Sequence, residues 1–316
     1  MAQLIVAGVD IGGTFTKYGF VNALGKVLLH KSIPTTVYQK PDDFANELTE
    51  MILREAKNFT EYDLHGIGIG SPNGNYFTGT VEHAPNLPWK GVVPLTKLFM
   101  DASGLPVVLT NDAKAAALGE MVFGGAKRMK HFAFITLGTG LGSGIVIDGK
   151  IVYGHDGFAG ELGHTTIFEN GRQCGCGRKG CLEQYCSSTG IVRTYMELLE
   201  KAGKKIPVAT EEVGSVYIYE KFQQGEREAI EAFRYTGHLL GIALANLCCV
   251  SSPEAIFLFG GLARSGEAIF NPVKKSFEEN LLKVYQGKTK ILASQLPEGE
   301  AAILGAASLM WNELKR

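Results

Sequence analysis

Residues 4–21 read LIVAGVDIGGTFTKYGFV, and residues 132–147 read FAFITLGTGLGSGIVI. Each is an apolar run, a glycine turn and a second apolar run, the pattern of a β-hairpin. The spacing predicts strands over 4–10 and 15–21 around Gly12-Gly13-Thr14, and strands over 132–137 and 145–147 around Gly138-Thr139-Gly140-Leu141-Gly142-Ser143-Gly144. The copies align with Asp10 on Thr136, Gly12 on Gly138 and Thr14 on Gly140. The match runs on to a second glycine turn, Gly25-Lys26 on Gly149-Lys150. A strand, turn, strand, turn, strand unit therefore occurs twice, and two such units predict two similar lobes. Glycines let backbone N–H groups approach anionic oxygens, and a threonine hydroxyl adds a donor, so both turns are candidate phosphate sites. Neither is a G-x-x-x-x-G-K-[ST] loop. The second turn leads into a strand, whereas a dinucleotide fingerprint needs a following helix.

Outward from the hairpins, 26–33 reads as a third strand and 41–56 as an amphipathic helix with an aspartate start. Residues 66–70 and 106–110 read as short buried strands, 71–95 as a long Gly/Asn/Pro loop, and 112–122 as a helix. Loops of that length inside compact domains usually carry function. Further helices are expected over 188–202, 226–250, 265–284 and 301–314, with strands at 255–259 and 291–293. The last helix should pack back on the first lobe. The expected division is 1–115 plus 301–316 for a small lobe and 116–300 for a large one.

Composition narrows the classes. The chain has 316 residues, 45% hydrophobic and 20% charged, with a net charge of -1. That is an ordinary globular composition, with no electrostatic reason to expect nucleic acid or an anionic membrane as partner. The first strand begins by about Gln3, with no basic leader and no long apolar stretch, so no export signal or membrane span is expected. Free thiols without an export signal point to the cytoplasm.

Four of the six cysteines fall between 174 and 186. With His164, Cys174, Cys176 and Cys181 make an H-x9-C-x-C-x4-C spacing. These are the four N/S ligands of a closed, structural Zn²⁺ site. Glu161 and Glu183 flank it, so the metal would fix where two carboxylates point. Cys186, Cys248 and Cys249 read as inert, the last two as core residues.

Asn111-Asp112 ends a strand and opens a helix. Asp112 suits an ordinary N-cap. Beside two phosphate turns and a polar loop, it also suits a general base that accepts a hydroxyl proton as the oxygen attacks phosphorus. Gly260-Gly261 follows an apolar strand, where a flat base or ribose could lie against the turn, or the turn could be simple punctuation.

Taken together, these motifs resemble the ROK family (repressor, ORF, kinase) over nearly the whole chain. The resemblance rests on Asp10-Ile11-Gly12-Gly13-Thr14 with Lys17, the Gly138-to-Gly142 turn, Glu161-x-Gly163-His164, and Cys174-x-Cys176-Gly177-x-x-Gly180-Cys181-Leu182-Glu183. It is nearest to the glucokinases of that family. It implies an α/β, actin/hexokinase-like (ribonuclease H-like) two-lobe fold with a duplicated β-hairpin phosphate-binding core, ATP with Mg²⁺ as co-substrate, and a sugar in the hinge. It also implies a homodimer or homotetramer, as its kinases often form. Residue by residue, Asp112 resembles the catalytic base for the sugar 6-hydroxyl. Asn111, Glu161, His164 and Glu183 resemble sugar ligands, with His164 touching sugar by one ring nitrogen and zinc by the other. Asp10, Gly12, Gly13, Thr14, Lys17, Thr136, Gly138, Thr139 and Gly140 resemble the Mg-ATP phosphate site, and Gly260 and Gly261 the adenosine side. Asn86-Leu87-Pro88-Trp89 resembles an Asn-Leu-x-Trp stretch of the glucokinases, and Asn86 is taken as a sugar-side residue.

One stretch departs from the family pattern. Where Pro-Gly is common, this chain has Ser71-Pro72-Asn73-Gly74, so Gly74 is displaced by one. Gly74 or Asn73 could meet a sugar hydroxyl there. The expected activity is phosphorylation of glucose at the 6-hydroxyl. N-acetylmannosamine, N-acetylglucosamine or fructose as acceptor is the alternative, and a sugar-sensing regulator a remoter one. A strand starting within the first ten residues leaves no space for an N-terminal helix-turn-helix. An inactive sensor would be expected to lose Asp112 or a phosphate turn, and both are present.

Overall fold

A computed structural model of the chain describes residues 3–207 and 213–314. These residues form two compact units, 1–129 with 151–160 and 295–316, and 130–150 with 161–294. The expected boundary at 115/116 would cut a helix that the structure keeps whole. The chain passes between units at 129/130 instead, and a short excursion, 151–160, returns to the first unit.

The first unit opens with β1 (Gln3–Ile11), β2 (Phe15–Asn22) and β3 (Val27–Pro34), joined as antiparallel hairpins. Next come α1 (Pro41–Ala56), β4 (Tyr62–Ser71), β5 (Gly74–Asn75), β6 (Thr80–Glu82), β7 (Val92–Val93), α2 (Leu95–Ser103), β8 (Val107–Asn111) and α3 (Asp112–Val122). Its main sheet runs β3-β2-β1-β4-β8, with β4 and β8 parallel to β1. Residues 5–9 of β1 are buried without alternation, because a sheet covered on both faces has no polar side. The expected loop over 71–95 is corrected here. It holds the three-stranded antiparallel sheet β5-β6-β7, followed at once by α2. Strand β4 begins earlier than expected, at Tyr62, because residues 62–64 already pair with residues 3–5 of β1.

The second unit repeats the plan. It contains β9 (Phe132–Leu137), β10 (Leu141–Ile147), β11 (Lys150–Ile151), α4 (Glu183–Cys186), α5 (Ser188–Lys201), α6 (Ser215–Gln223), α7 (Arg227–Ser251), β12 (Ala255–Phe259), α8 (Glu267–Asn280) and β13 (Lys290–Ala293). The sheet order is β11-β10-β9-β12-β13, again with an antiparallel hairpin followed by two parallel strands. In both hairpins three residues separate the strands, 12–14 and 138–140, so Gly12 falls on Gly138 as the alignment expected. The expected helix over 265–284 is shorter. Leu281 continues the apolar spacing of Ile269, Val273 and Phe277 and is buried, but its backbone is extended at ψ 141°.

Each unit has its own apolar core. The final helix, α9 (Ala301–Leu314), packs on the first unit's sheet, as expected. Gly19, Gly8 and Gly68 are register partners across β2, β1 and β4, and they make a floor without side chains. A Cβ at Gly8 would lie 2.2 Å from the Ile303 carbonyl oxygen, and one at Gly68 2.0 Å from that of Ala306. Only glycine permits so close a backbone approach. Among the described residues, no helix is long and apolar enough to cross a membrane.

Candidate active site

In the first unit, Asp10 is the penultimate residue of β1, two residues before the Gly12-Gly13-Thr14 turn, and pairs across the hairpin with Lys17. Its carboxyl is pushed up to about 7, chiefly by burial and then by the Asp112 charge, with Lys17 pulling the other way. Asp112 is the first residue of α3, and the cap is Asn111. The Asn111 Oδ1 accepts from the Ala113 and Lys114 N–H groups at 3.0 and 3.3 Å. Asp112 is thus released from the capping role that suited it in sequence. It keeps solvent-accessible surface, yet protein surrounds it closely enough that desolvation raises its carboxyl above the ordinary range. Backbone N–H groups of Ala113 and Asp112, and then Lys114, oppose that shift.

Gly13 touches the stretch expected to be sugar-side. A Cβ on it would lie 2.6 Å from the Asn86 carbonyl oxygen. Leu87 and Trp89 anchor that stretch in the core, Trp89 by an indole N–H donated to the Tyr38 carbonyl at 3.0 Å, and Asn86 is left exposed. Asn73 adopts φ 51° and donates its amide to the Glu82 carbonyl at 2.9 Å, so the amide is occupied within the small sheet. Gly74 packs on β8, where a Cβ would lie 2.4 Å from the Thr110 carbonyl oxygen.

In the second unit, the sequence motifs are knitted to one hairpin. The Thr136 hydroxyl accepts from Gly142 N–H at 3.0 Å. The Gly138 carbonyl accepts from Ser188 N–H at 2.8 Å, and the Thr139 carbonyl from the Thr189 hydroxyl at 2.8 Å. These bonds pin the tip of the turn to the start of α5. A Cβ on Gly138 would meet nothing within 4 Å. Neither packing nor a left-handed backbone demands glycine there, and the open space suits a close phosphate. Gly260 differs: at φ 104°, with a Cβ 2.7 Å from the Leu137 carbonyl oxygen, it is explained by strand-end packing. Gly261 faces the hydroxyls of Ser188 and Ser215 and the guanidinium of Arg264.

The Glu161-x-Gly163-His164 stretch lies on β10. Leu162 N–H donates to the Ser143 hydroxyl at 3.2 Å, and a Cβ on Gly163 would lie 2.2 Å from the Leu141 carbonyl oxygen. Glu183, expected as a sugar ligand, accepts from Leu141 N–H at 3.0 Å through one carboxylate oxygen. The other lies 3.9 Å from Cys174 Sγ and 3.4 Å from the Gln184 amide. It therefore bridges the cysteine cluster and the glycine hairpin.

The cluster fits a metal. The ligand atoms of His164, Cys174, Cys176 and Cys181 all lie within 4.8 Å of one another. Tetrahedral Zn²⁺, with bonds of about 2.3 Å to sulfur and 2.0 Å to nitrogen, has S–S edges of about 3.8 Å and S–N edges of about 3.6 Å. Cys176 and Cys181 are 3.6 Å apart, and Cys174 is 3.8 Å from His164 Nδ1. Gln184 donates to Cys174 Sγ at 3.4 Å, the kind of outer contact that orients a thiolate ligand.

A family model described as "ROK family" matches residues 6–313. The chain belongs to the ROK family. It is 35% identical over 315 residues to a glucokinase of Thermotoga maritima, covering 98% of each chain. A solved ROK glucokinase from Streptomyces griseus, in complex with glucose and AMPPNP, superposes with a TM-score of 0.79 at 34% identity, over 96% of this chain and 98% of that one. The xylose repressor of Caldicellulosiruptor bescii is 29% identical over 315 residues, 98% of this chain and 78% of the repressor. The fold of this ROK protein is the actin/hexokinase-like α/β fold, with one copy of the duplicated sheet in each unit.

Sequence reasoning missed two groups around the ROK motifs. One is the hydroxyl and amide set that braces the hairpin and the cluster, Ser143, Thr189 and Gln184. The other is a set of buried polar side chains on and near α3, namely Lys114, Glu120 and Asn75. In sequence, Lys114 and Glu120 look like the solvent-facing charges of any alanine-rich helix.

Proposed function

We propose that this ROK protein transfers the γ-phosphoryl group of ATP to the 6-hydroxyl of glucose. It is an ATP-dependent sugar kinase, as its full-length similarity to glucokinases supports. The observation that carries the mechanism is the raised carboxyl of Asp112, presented at the start of α3 by the Asn111 cap. A carboxyl in that state takes a proton more readily than an ordinary aspartate. As the sugar oxygen bonds to phosphorus and the bond to the ADP oxygen breaks, the hydroxyl proton passes to Asp112 and ADP leaves with the electron pair. A positioned base contributes about 10²–10⁴-fold.

The remaining residues position and neutralise. Gly12, Gly13, Thr14, Gly138, Thr139 and Gly140, with Thr136 and Lys17, are the phosphate side. Gly260 and Gly261 are the adenosine side. Asp10 would hold Mg²⁺ through water, and Mg²⁺ supplies charge neutralisation at the transferring phosphoryl group. Asn86, Asn111, Glu161, His164 and Glu183 are the sugar side, with Gly74 lending backbone. His164, Cys174, Cys176 and Cys181 would hold Zn²⁺, a structural brace for that side.

The test is ADP release with Mg-ATP across glucose, mannose, fructose, N-acetylglucosamine and N-acetylmannosamine. Glucose should give the highest kcat/KM. A higher value for an N-acetyl sugar would move the substrate and leave the reaction. Asp112→Asn should bind glucose within a few-fold of wild type in calorimetry and lose about 10²–10⁴ in kcat. A variant that turns over at the wild-type rate would remove Asp112 as the base. No turnover by the wild type with any sugar would favour the sensing role suggested by the repressor relative.

A further inference from the structure

The polypeptide passes between its two units by three stretches, at 129/130, through the 151–160 excursion, and at 294/295. All three are tied to one helix by its buried charged side chains. Lys114 is 1% exposed, and its ammonium donates to the Gly157 carbonyl, midway along the excursion, at 3.0 Å. Glu120 is fully buried. One of its carboxylate oxygens accepts from Gly125 N–H at 2.7 Å and from Gln295 N–H at 3.1 Å. Gly125 lies just before the first passage, and Gln295 stands at the last. The helix is α3, whose first residue is Asp112. A second hold grips the excursion from the small sheet. The Asn75 amide donates to the Asp156 carbonyl at 2.9 Å, and a Cβ on Gly157 would strike the Asn75 Oδ1.

Burying a charge is costly unless it is paired and hydrogen-bonded, and an apolar residue would fill the same space without that cost. Two such charges on one helix, each spent on the chain's passages, call for a purpose beyond packing. We infer that Lys114 and Glu120 are positioning residues of the phosphoryl transfer, holding from the Asp112 helix every stretch by which the chain passes between its units. The role rests on the proposed base function of Asp112. The excursion also leads directly into Glu161, so slack at Gly157 reaches the sugar side along the chain.

The test compares Glu120→Ala, Glu120→Gln and Lys114→Met with wild type. Rates are read at a temperature where circular dichroism shows each variant native. Misplacement by about 1 Å can cost about 10²-fold in rate. Glu120→Ala and Lys114→Met should therefore lose at least about tenfold in kcat, with the ATP KM within about twofold. Glu120→Gln keeps the accepting oxygen and should return to within about threefold of wild type. If Lys114→Met does not fold, Asn75→Ala releases the same excursion and should show the same loss. Wild-type rates in Glu120→Ala and Asn75→Ala, with only a lowered Tm, would overturn the inference. So would a Glu120→Gln variant as impaired as Glu120→Ala. Failure of the kinase reading is separable, because the wild type itself would then release no ADP. Amide exchange still decides the tether in that case: Gly125 and Gln295 N–H must exchange faster in Glu120→Ala than in Glu120→Gln, and equal rates would sink it.

Discussion

Asp10 keeps its proton up to about pH 7 in the folded chain and loses it near 3.8 when unfolded. Between those values the unfolded state binds fewer protons, so the Asp10 contribution to stability falls as pH rises through that window. The cost is a carboxylate ionised among protein atoms and facing a second one, Asp112. A divalent cation would relieve both terms, which is why such a pair suits a metal-nucleotide substrate. Asp10→Asn removes the titrating group and should gain on wild type as pH rises. Without added metal, the Tm difference, variant minus wild type, should be larger by a few degrees at pH 8 than at pH 4. Thermal scans at the two pH values measure it, and a pH-independent difference would mean that Asp10 is already ionised and at ease. The same variant should lose turnover, so Asp10 exchanges stability for chemistry. Glu183 shows a different economy at this scale. Its carboxylate serves the Leu141 N–H and the Cys174 region together, so one residue couples two elements far apart in sequence.

That coupling sets the expectation for the cysteine segment, which has little regular structure of its own. Isolated bridges join Thr166 to Cys181 and Gln173 to Lys179, and the four candidate ligand atoms lie within 4.8 Å of one another. Cys176→Ser should lower bound zinc from about one per chain to near zero, as plasma emission spectrometry would read. The glucose KM should then rise by about tenfold or more, in line with the cost of disturbing a metal shell, while the ATP KM moves less. Zinc-free wild type with unchanged kinetics would refute the bracing role. The cluster was legible in sequence because thiol spacing is a local signal. The two hairpins were legible because glycine punctuates apolar runs. The small sheet was not, because β5 and β7 are two residues long, too short to show an alternation, and the Asn73 and Asn75 side chains that bond to Glu82 and Phe77 there read in sequence as ordinary loop residues. Helix α6 was missed because Ser215–Gln223 carries Val216, Tyr217, Ile218 and Tyr219 in succession, which is no helical stripe. The end of α8 was missed because Leu281 keeps the apolar spacing after the backbone has left the helix. Lys114 and Glu120 were illegible for a related reason: charge in sequence says nothing of which way a helix is turned.

The whole chain is needed to finish its own beginning. The first unit's sheet is laid down by residues 3–111, yet one face of it waits for α9, the last helix. In the glycine row of β2, β1 and β4, a Cβ on Gly8 or Gly68 would strike α9 backbone, and one on Gly19 would strike the Leu29 carbonyl oxygen of β3 and approach the Ile303 side chain of α9. The same helix meets α3, where a Cβ on Gly119 would lie 3.0 Å from the Gly305 Cα. Helix α9 thus sits under both the Asp10 strand and the Asp112 helix, so its seating is expected to set the spacing of the two carboxylates. Gly68→Ala tests this at a position two residues along β4 from Gly70, the register partner of Asp10. The added Cβ would lie 2.0 Å from the Ala306 carbonyl oxygen, and backbone cannot yield as a flexible side-chain tip does. Overpacking of this kind costs about 1–3 kcal/mol, or roughly 2–12 °C in Tm for a unit of this size. The variant should show that loss, together with faster proteolysis in the segment between β13 and α9. Its bound zinc should be unchanged, because the cysteine cluster belongs to the other unit. A Gly68→Ala protein with wild-type Tm would mean that α9 slides without penalty, and the glycine row would then need another cause.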